Sequence, residues 1–239
     1  MLGFLYSQLI KSLPRPTESY AGKTVIVTGS NVGLGKEAAR HYARLGATRL
    51  ILAVRSKEKG YAAKKDILAS VPGYPGASIE VWELDMARYA SVQAFAARVR
   101  GTELDRVDVF LANAGINTPK FELLEKDEAT ITVNVVSTFL LALLVLPKLK
   151  ETAARFPEDK RPVLTVTSSA VHGWAKFPQR NAPVIFDALR QGPDNFDSGD
   201  RYNVSKLLEV LFVRALAERY PADKFPVTVN YVNPGFCKS

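Results

Sequence analysis

Lys23-Thr24-Val25-Ile26-Val27-Thr28-Gly29-Ser30-Asn31-Val32-Gly33-Leu34-Gly35-Lys36-Glu37-Ala38-Ala39-Arg40 decides the fold. Its first part is a short β-branched run, the composition of a buried strand. Three glycines follow, and strong helix formers come after them. Strand, glycine turn and helix in that order make a phosphate cradle. Glycine permits the tight turn and the close backbone approach, while the helix N-terminus offers free N–H groups and the positive end of a dipole. The spacing is Gly-x-x-x-Gly-x-Gly rather than the commoner Gly-x-Gly-x-x-Gly.

Outward from this stretch, strands and helices alternate. Strands are expected over 24–28, 49–54, 78–84, 107–112, 163–168 and 227–232, and helices over 33–46, 56–70, 88–100, 127–152 and 202–219. Pro147 is expected to interrupt the long fourth helix. The alternation predicts an α/β fold: one doubly wound (Rossmann) parallel sheet with helices on both faces. Sites in such sheets lie beyond the carboxyl ends of the strands. Thr28-Gly29, Asn113, Ser169 and Pro234-Gly235 all fall there.

A second signal lies far along the chain, in Arg201-Tyr202-Asn203-Val204-Ser205-Lys206. Residues four apart share a helix face, which brings the Lys206 ammonium close to the Tyr202 phenol. A phenol titrates near pH ~10, too high for acid–base work at neutrality. A nearby cation favours the phenolate, so Lys206 is expected to lower the Tyr202 pKa.

These features together resemble the short-chain dehydrogenase/reductase family, in wording closest to filamentous-fungal and retinol-dehydrogenase-like members. Thr28 through Gly35 matches the family's Thr-Gly-x-x-x-Gly-x-Gly. Asp85 matches the aspartate after the third strand, Ala112-Asn113-Ala114-Gly115 the Asn-Asn-Ala-Gly segment, and Pro234-Gly235 the segment beside the nicotinamide. Asn134 falls where relatives keep a structural and proton-relay asparagine, and Ser168-Ser169 where the catalytic serine is expected. The resemblance implies hydride transfer between a nicotinamide and a carbonyl or secondary alcohol carbon. It implies a catalytic set of Asn134, Ser169, Tyr202 and Lys206, with Ser168 as the alternative serine. The implied cofactor contacts are Gly29, Asn31, Val32, Gly33, Leu34, Gly35, Arg55, Asp85, Asn113, Ala114, Tyr202, Lys206, Gly235 and Ser239. Polyketide or other secondary-metabolite tailoring is the implied setting, with retinoid or steroid-like substrates as the runner-up. A non-catalytic NADP-binding protein and a scaffold are the competing classes.

Cofactor choice has its own physical reading. A ribose 2′-hydroxyl is usually held by a carboxylate roughly twenty residues after the glycine turn, whereas a 2′-phosphate calls for arginine. Strand two ends Leu52-Ala53-Val54-Arg55-Ser56-Lys57, with no acid at its tip. Arg55 offers a planar fork suited to phosphate and Lys57 adds charge, so NADP is the expected cofactor.

The 239 residues, 47% hydrophobic, suffice for a substantial core. One cysteine, Cys237, excludes an internal disulfide, and two histidines, His41 and His172, argue against a metal centre. The net charge of +8 is scattered over the chain, which argues against nucleic-acid binding. Met1–Leu13 has a short amphipathic pattern ended by Pro14 and Pro16. Docking on the domain and weak membrane-surface contact are its two readings, since it is shorter than the ~20 apolar residues of a span. Residues 1–20 are read as an N-terminal extension and 21–239 as an NADP-binding catalytic domain lacking a seventh strand. A long insert separates Ser169 from Tyr202, and its aromatics Trp174, Phe177, Phe186 and Phe196 are expected either to line an apolar pocket or to anchor a loop. The expected partners are a small carbonyl or alcohol substrate and a second copy of the chain, in the cytoplasm or peripheral to a membrane.

Overall fold

The computed structural model describes residues 14–194, 196–235 and 237, so the amphipathic segment 1–13 and Ser239 lie outside the described residues. Six parallel strands form the central sheet: β1 (Thr24–Thr28), β2 (Arg49–Val54), β3 (Ile79–Glu83), β4 (Val109–Ala112), β5 (Val163–Thr167) and β6 (Thr228–Val232). Their spatial order is β3-β2-β1-β4-β5-β6. The order reverses between β1 and β4, and that reversal opens a crevice at the carboxyl ends of the strands.

The helices are α1 (Gly33–Arg44), α2 (Lys57–Ser70), α3 (Tyr89–Arg100), α4 (Ala129–Arg155), α5 (Ile185–Arg190) and α6 (Ser198–Arg219). Alternation along β1 explains why both faces are covered. Val25 and Val27 pack with Ala39, Ala43, Leu50, Leu52 and Ile67, the layer under α1 and α2. Ile26 points the other way, into a larger core with Phe110, Trp82, Phe95, Leu141 and Leu149 under α3 and α4. Each β1 residue is buried, as expected of a strand with neighbours on both sides and helices on both faces.

The order of the six sheet strands and of the five expected helices agrees with the sequence, α5 is additional, and several boundaries differ, some for identifiable physical reasons. Pro147 does not interrupt α4. The amide hydrogen that proline lacks would have bonded the Leu143 carbonyl, and Leu143 and Pro147 both lie on the exposed side of the helix. The irregularity is instead a π-helical segment at Thr132–Ser137, which contains Asn134. α6 begins a turn before Tyr202, where the Asp197 side chain caps the Asp200 N–H at 3.1 Å. Strands three and four are each shorter than expected, the first because Gly76–Ser78 forms a 3₁₀ turn.

α4 is long and apolar enough to cross a membrane, with a mean hydropathy of 2.2 in its most apolar window, but 78% of that window is buried. It is a core helix. The insert before α6 folds as turns at Ala170–Trp174 and Pro178–Asn181, then α5. Arg190 of α5 pairs with Asp127 at 3.0 Å, and buried Arg201 of α6, itself paired with buried Glu128 at 3.6 Å, donates to the Leu189 carbonyl of α5. Phe196 packs edge-on against Phe121 at 5.5 Å.

Candidate active site

The glycine turn sits at the carboxyl end of β1. Gly29 takes φ +66° and Gly33 φ +55°, both left-handed conformations that favour glycine. A Cβ on Gly35 would lie 2.5 Å from both Asn113 Nδ2 and the Gly29 carbonyl oxygen, so only glycine lets α1 approach the turn this closely. Val32 stands at the N-cap with no side-chain hydrogen bond, and the first turn of α1 holds no acid. The helix N-terminus is therefore left with unsatisfied N–H groups facing the crevice, the arrangement that takes an anion. Gly35→Ala is expected to cost about 1–3 kcal/mol in stability through overpacking, read by urea unfolding, and to abolish dinucleotide affinity.

Thr28 ties this turn to the β4 end. Its Oγ1 accepts from the amides of Asn113 and Ala114, each at 2.9 Å, while Asn113 Nδ2 donates to the Thr28 carbonyl at 3.0 Å. Asp85 follows β3 and is half-buried, its Oδ1 accepting from the Ala87 amide at 3.0 Å. Arg55 is exposed at the end of β2, and no hydrogen bond or ion pair engages its side chain among the described residues. Lys57 turns away to Glu83 at 3.4 Å, which corrects its expected place beside Arg55. Ser56 and Lys59 line the cleft with Arg55 instead. A one-turn helical offset from the tip of β2 could have pointed to Lys59.

One cleft of about 590 Å³ gathers nearly all of the expected residues. Gly29, Asn31, Val32, Gly33, Leu34, Gly35, Arg55, Asp85, Asn113, Ala114, Ser169, Tyr202, Lys206 and Gly235 line it. That volume lies within the roughly 300–1,000 Å³ typical of cofactor and ligand sites. Gly115, Ile116 and Leu124 also line it and were missed from sequence. None of the insert aromatics does; Phe177 is buried and Phe196 packs on Phe121, so these two anchor the loop.

Asn134 stands behind the wall of the cleft. Its Oδ1 accepts from the Ile116 amide at 2.8 Å, and its Nδ2 donates to the Ile116 carbonyl at 2.9 Å and to Ser205 Oγ at 3.0 Å. These bonds fix the Gly115–Ile116 segment. Asn134→Ala is expected to destabilise the fold by about 3 kcal/mol, measured by urea unfolding, because it strands the buried partners of the amide. A Cβ on Gly115 would lie 3.2 Å from Asn134 Oδ1 and 3.8 Å from Lys206 Nζ, so the two groups flank one point.

The two serines separate by environment. Ser168 is buried and donates to the Lys206 carbonyl at 3.1 Å. Both line the cleft, but Ser169 is half-buried and its oxygen accepts only from the Val171 amide at 3.4 Å among the described residues, leaving its O–H free to donate.

Lys206 Nζ lies 5.6 Å from the Tyr202 ring centroid. It donates to the Thr167 carbonyl and to Glu209 Oε1, both at 2.9 Å. The Tyr202 pKa is not lowered as its neighbour suggested. Burial raises it, and the Glu209 carboxylate raises it further. Sequence reasoning missed Glu209 because it stands inside an apolar run, where its burial one turn beyond Lys206 is invisible to composition.

The reversed strand order, the uncapped glycine turn and a tyrosine–lysine pair on the same crevice define a dinucleotide-binding type of α/β protein. Residues 23–170 match the short chain dehydrogenase family, and the chain belongs to this family of oxidoreductases. It is 59% identical over 241 residues to a short chain dehydrogenase/reductase of Cryptosporiopsis, covering 100% of this chain and 73% of that one. A short chain dehydrogenase of Emericella nidulans is 46% identical over 242 residues, covering 100% and 74%. Among solved structures, a protein from Mycobacterium paratuberculosis superposes with a TM-score of 0.71 at 30% identity, covering 92% of this chain and 70% of that one. A short chain dehydrogenase from Escherichia coli CFT073 complexed with NADPH does so at 0.65 and 26%, covering 93% and 80%.

Proposed function

We propose that the protein is an NADP-dependent oxidoreductase acting on the carbonyl or secondary alcohol of an apolar small molecule in fungal secondary metabolism. One observation carries this reading. An anion-taking helix N-terminus, a free arginine at the tip of β2 and the Tyr202–Lys206 pair with Ser169 share a single cleft. The fungal relatives support the metabolic setting, and the E. coli relative's complex with NADPH supports the cofactor.

The residues fit a dinucleotide phosphate. The N-terminus of α1 and the glycine turn would take the pyrophosphate, Arg55 with Ser56 and Lys59 the 2′-phosphate, and Asp85 the adenine side. Bound there, the nicotinamide supplies or accepts the hydride. The protein's own task is to hold the carbonyl and move one proton. Tyr202 gives its phenolic proton to the carbonyl oxygen in reduction and takes one back in oxidation. Ser169 donates a hydrogen bond to the same oxygen. Lys206 has one N–H left beyond Thr167 and Glu209, which would be available to the ribose hydroxyls. Asn134 braces Gly115–Ile116, and its remaining acceptor lies where a relay water would meet Lys206.

The test is calorimetric titration with NADPH and NADH, followed by loss of reduced-nicotinamide absorbance with a panel of apolar ketones that includes retinoid and steroid ketones. Tight NADPH binding with turnover of an apolar ketone is expected. Failure to bind either dinucleotide overturns the reading, and binding without turnover of any ketone overturns its catalytic half.

A further inference from the structure

α6 carries a third ionisable group in line with Tyr202 and Lys206. Glu209 is buried, one of its oxygens bonds Lys206 Nζ at 2.9 Å, and the other has no hydrogen-bond partner among the described residues. A buried carboxylate with an unpaired oxygen is costly, and it is retained here against the one cation of the cleft that the proposed chemistry needs. Lys206 is held from two sides, by Glu209 and by the Thr167 carbonyl at the end of β5.

Among the described residues no other charged group pairs with Glu209. α6 packs against the 170–174 turn, the start of α4 and β6. The ionisable groups there are His172, which bonds the Ser169 carbonyl, Glu128, which pairs with Arg201, and exposed Tyr231. Lys206 bonds Glu209 and faces the Tyr202 ring across 5.6 Å, the Ser168 hydroxyl lies beside the carboxylate, and Glu209 adds to the rise that burial gives the Tyr202 phenol. Burial pushes the Glu209 carboxyl up to about 7, with Lys206 pulling the other way.

We propose that Glu209 is a positioning residue for proton transfer: its carboxylate ties the Lys206 ammonium to the end of β5 and offsets that charge at Tyr202, keeping the phenol in its proton-carrying form. The inference rests on Tyr202 being the proton carrier of the proposed function. With an uncharged group at 209, the ammonium acts on the phenol without compensation, and the phenolate becomes easier to form. The pH range in which Tyr202 can donate then moves down.

The direct test needs no substrate. The full chain carrying tyrosine labelled with ¹³C at Cζ is titrated by NMR, with the Tyr202 resonance assigned by its loss in Tyr202→Phe. In Glu209→Gln the Tyr202 midpoint is expected to fall by about one pH unit or more, roughly tenfold in the ionisation constant. In Lys206→Met it is expected to rise. A folded Glu209→Gln protein whose Tyr202 titrates with the parent overturns the proposal, whatever its melting temperature. Glu209→Met carries the same test should the glutamine variant fail to fold. The basic limb of the kcat/KM profile is expected to move down with the midpoint. A protein that turns over normally with an unshifted Tyr202 removes the role of Glu209 and leaves the proposed function standing. A shifted Tyr202 without turnover of any ketone does the reverse.

Discussion

Tyr202→Phe is expected to reduce turnover roughly 10²–10⁴-fold, the span of general acid–base catalysis, while dinucleotide affinity stays near that of the parent. The substitution removes one oxygen. The aromatic ring remains, half-buried on α6, and continues to face Lys206 Nζ across 5.6 Å. The glycine turn, Arg55 and Asp85 are untouched, so the loss falls on the proton step. The hydroxyl carries no hydrogen bond among the described residues, so no protein group is stranded by its removal and stability should scarcely change. Paired measurements of turnover and of NADPH affinity separate the two effects. Near-parent turnover in Tyr202→Phe would remove the proposed acid.

Arg55→Asp is expected to reverse the cofactor preference. Arg55 stands exposed, with its guanidinium free among the described residues, beside Ser56 and Lys59 on the cleft wall. Charge-assisted bonds to an anion are worth about 1.5–3 kcal/mol, so losing them should weaken NADPH binding by roughly 10–100-fold. The introduced carboxylate repels the 2′-phosphate and can accept from a 2′-hydroxyl, which strengthens NADH relative to NADPH. Titration of both dinucleotides against parent and variant checks this. Equal affinities in the parent, unaltered by the substitution, would show that Arg55 points only into solvent.

Much of the fold was legible because its signals are local. The β-branched run at 24–28, the glycines after it and the helix formers beyond them each dictate backbone conformation within a few residues, and β1 and α1 fall where that reading puts them. The same locality placed Tyr202 and Lys206 on one helix face. What sequence could not supply was the environment of each side chain. Lys57 and Lys59 look alike as neighbours of Arg55, and only packing shows that Lys57 reaches Glu83 while Lys59 lines the cleft. Ser168 and Ser169 are adjacent and both border the cleft, yet the Ser168 hydroxyl is buried and donates to the Lys206 carbonyl while that of Ser169 is half-buried and free to donate. Pro147 carries a strong local helix-breaking signal that tertiary context overrides, because the missing hydrogen bond falls on the exposed side of α4. Glu209 is the clearest case. It is one polar letter in an apolar run, yet it pairs with Lys206 and adds to the rise that burial gives the Tyr202 phenol.

In the proposed reaction the cleft between β1 and β4 brings a hydride donor and the Tyr202 proton to one carbonyl. Its most direct test is label transfer: NADPH deuterated at C4 of the nicotinamide is incubated with the protein and a panel of apolar ketones, and the products are analysed by mass spectrometry. The expected product is an alcohol carrying one deuterium on its carbinol carbon, formed by the parent and suppressed in Tyr202→Phe. Binding of NADPH with no deuterium in any product, or equal labelling by parent and Tyr202→Phe, would contradict it.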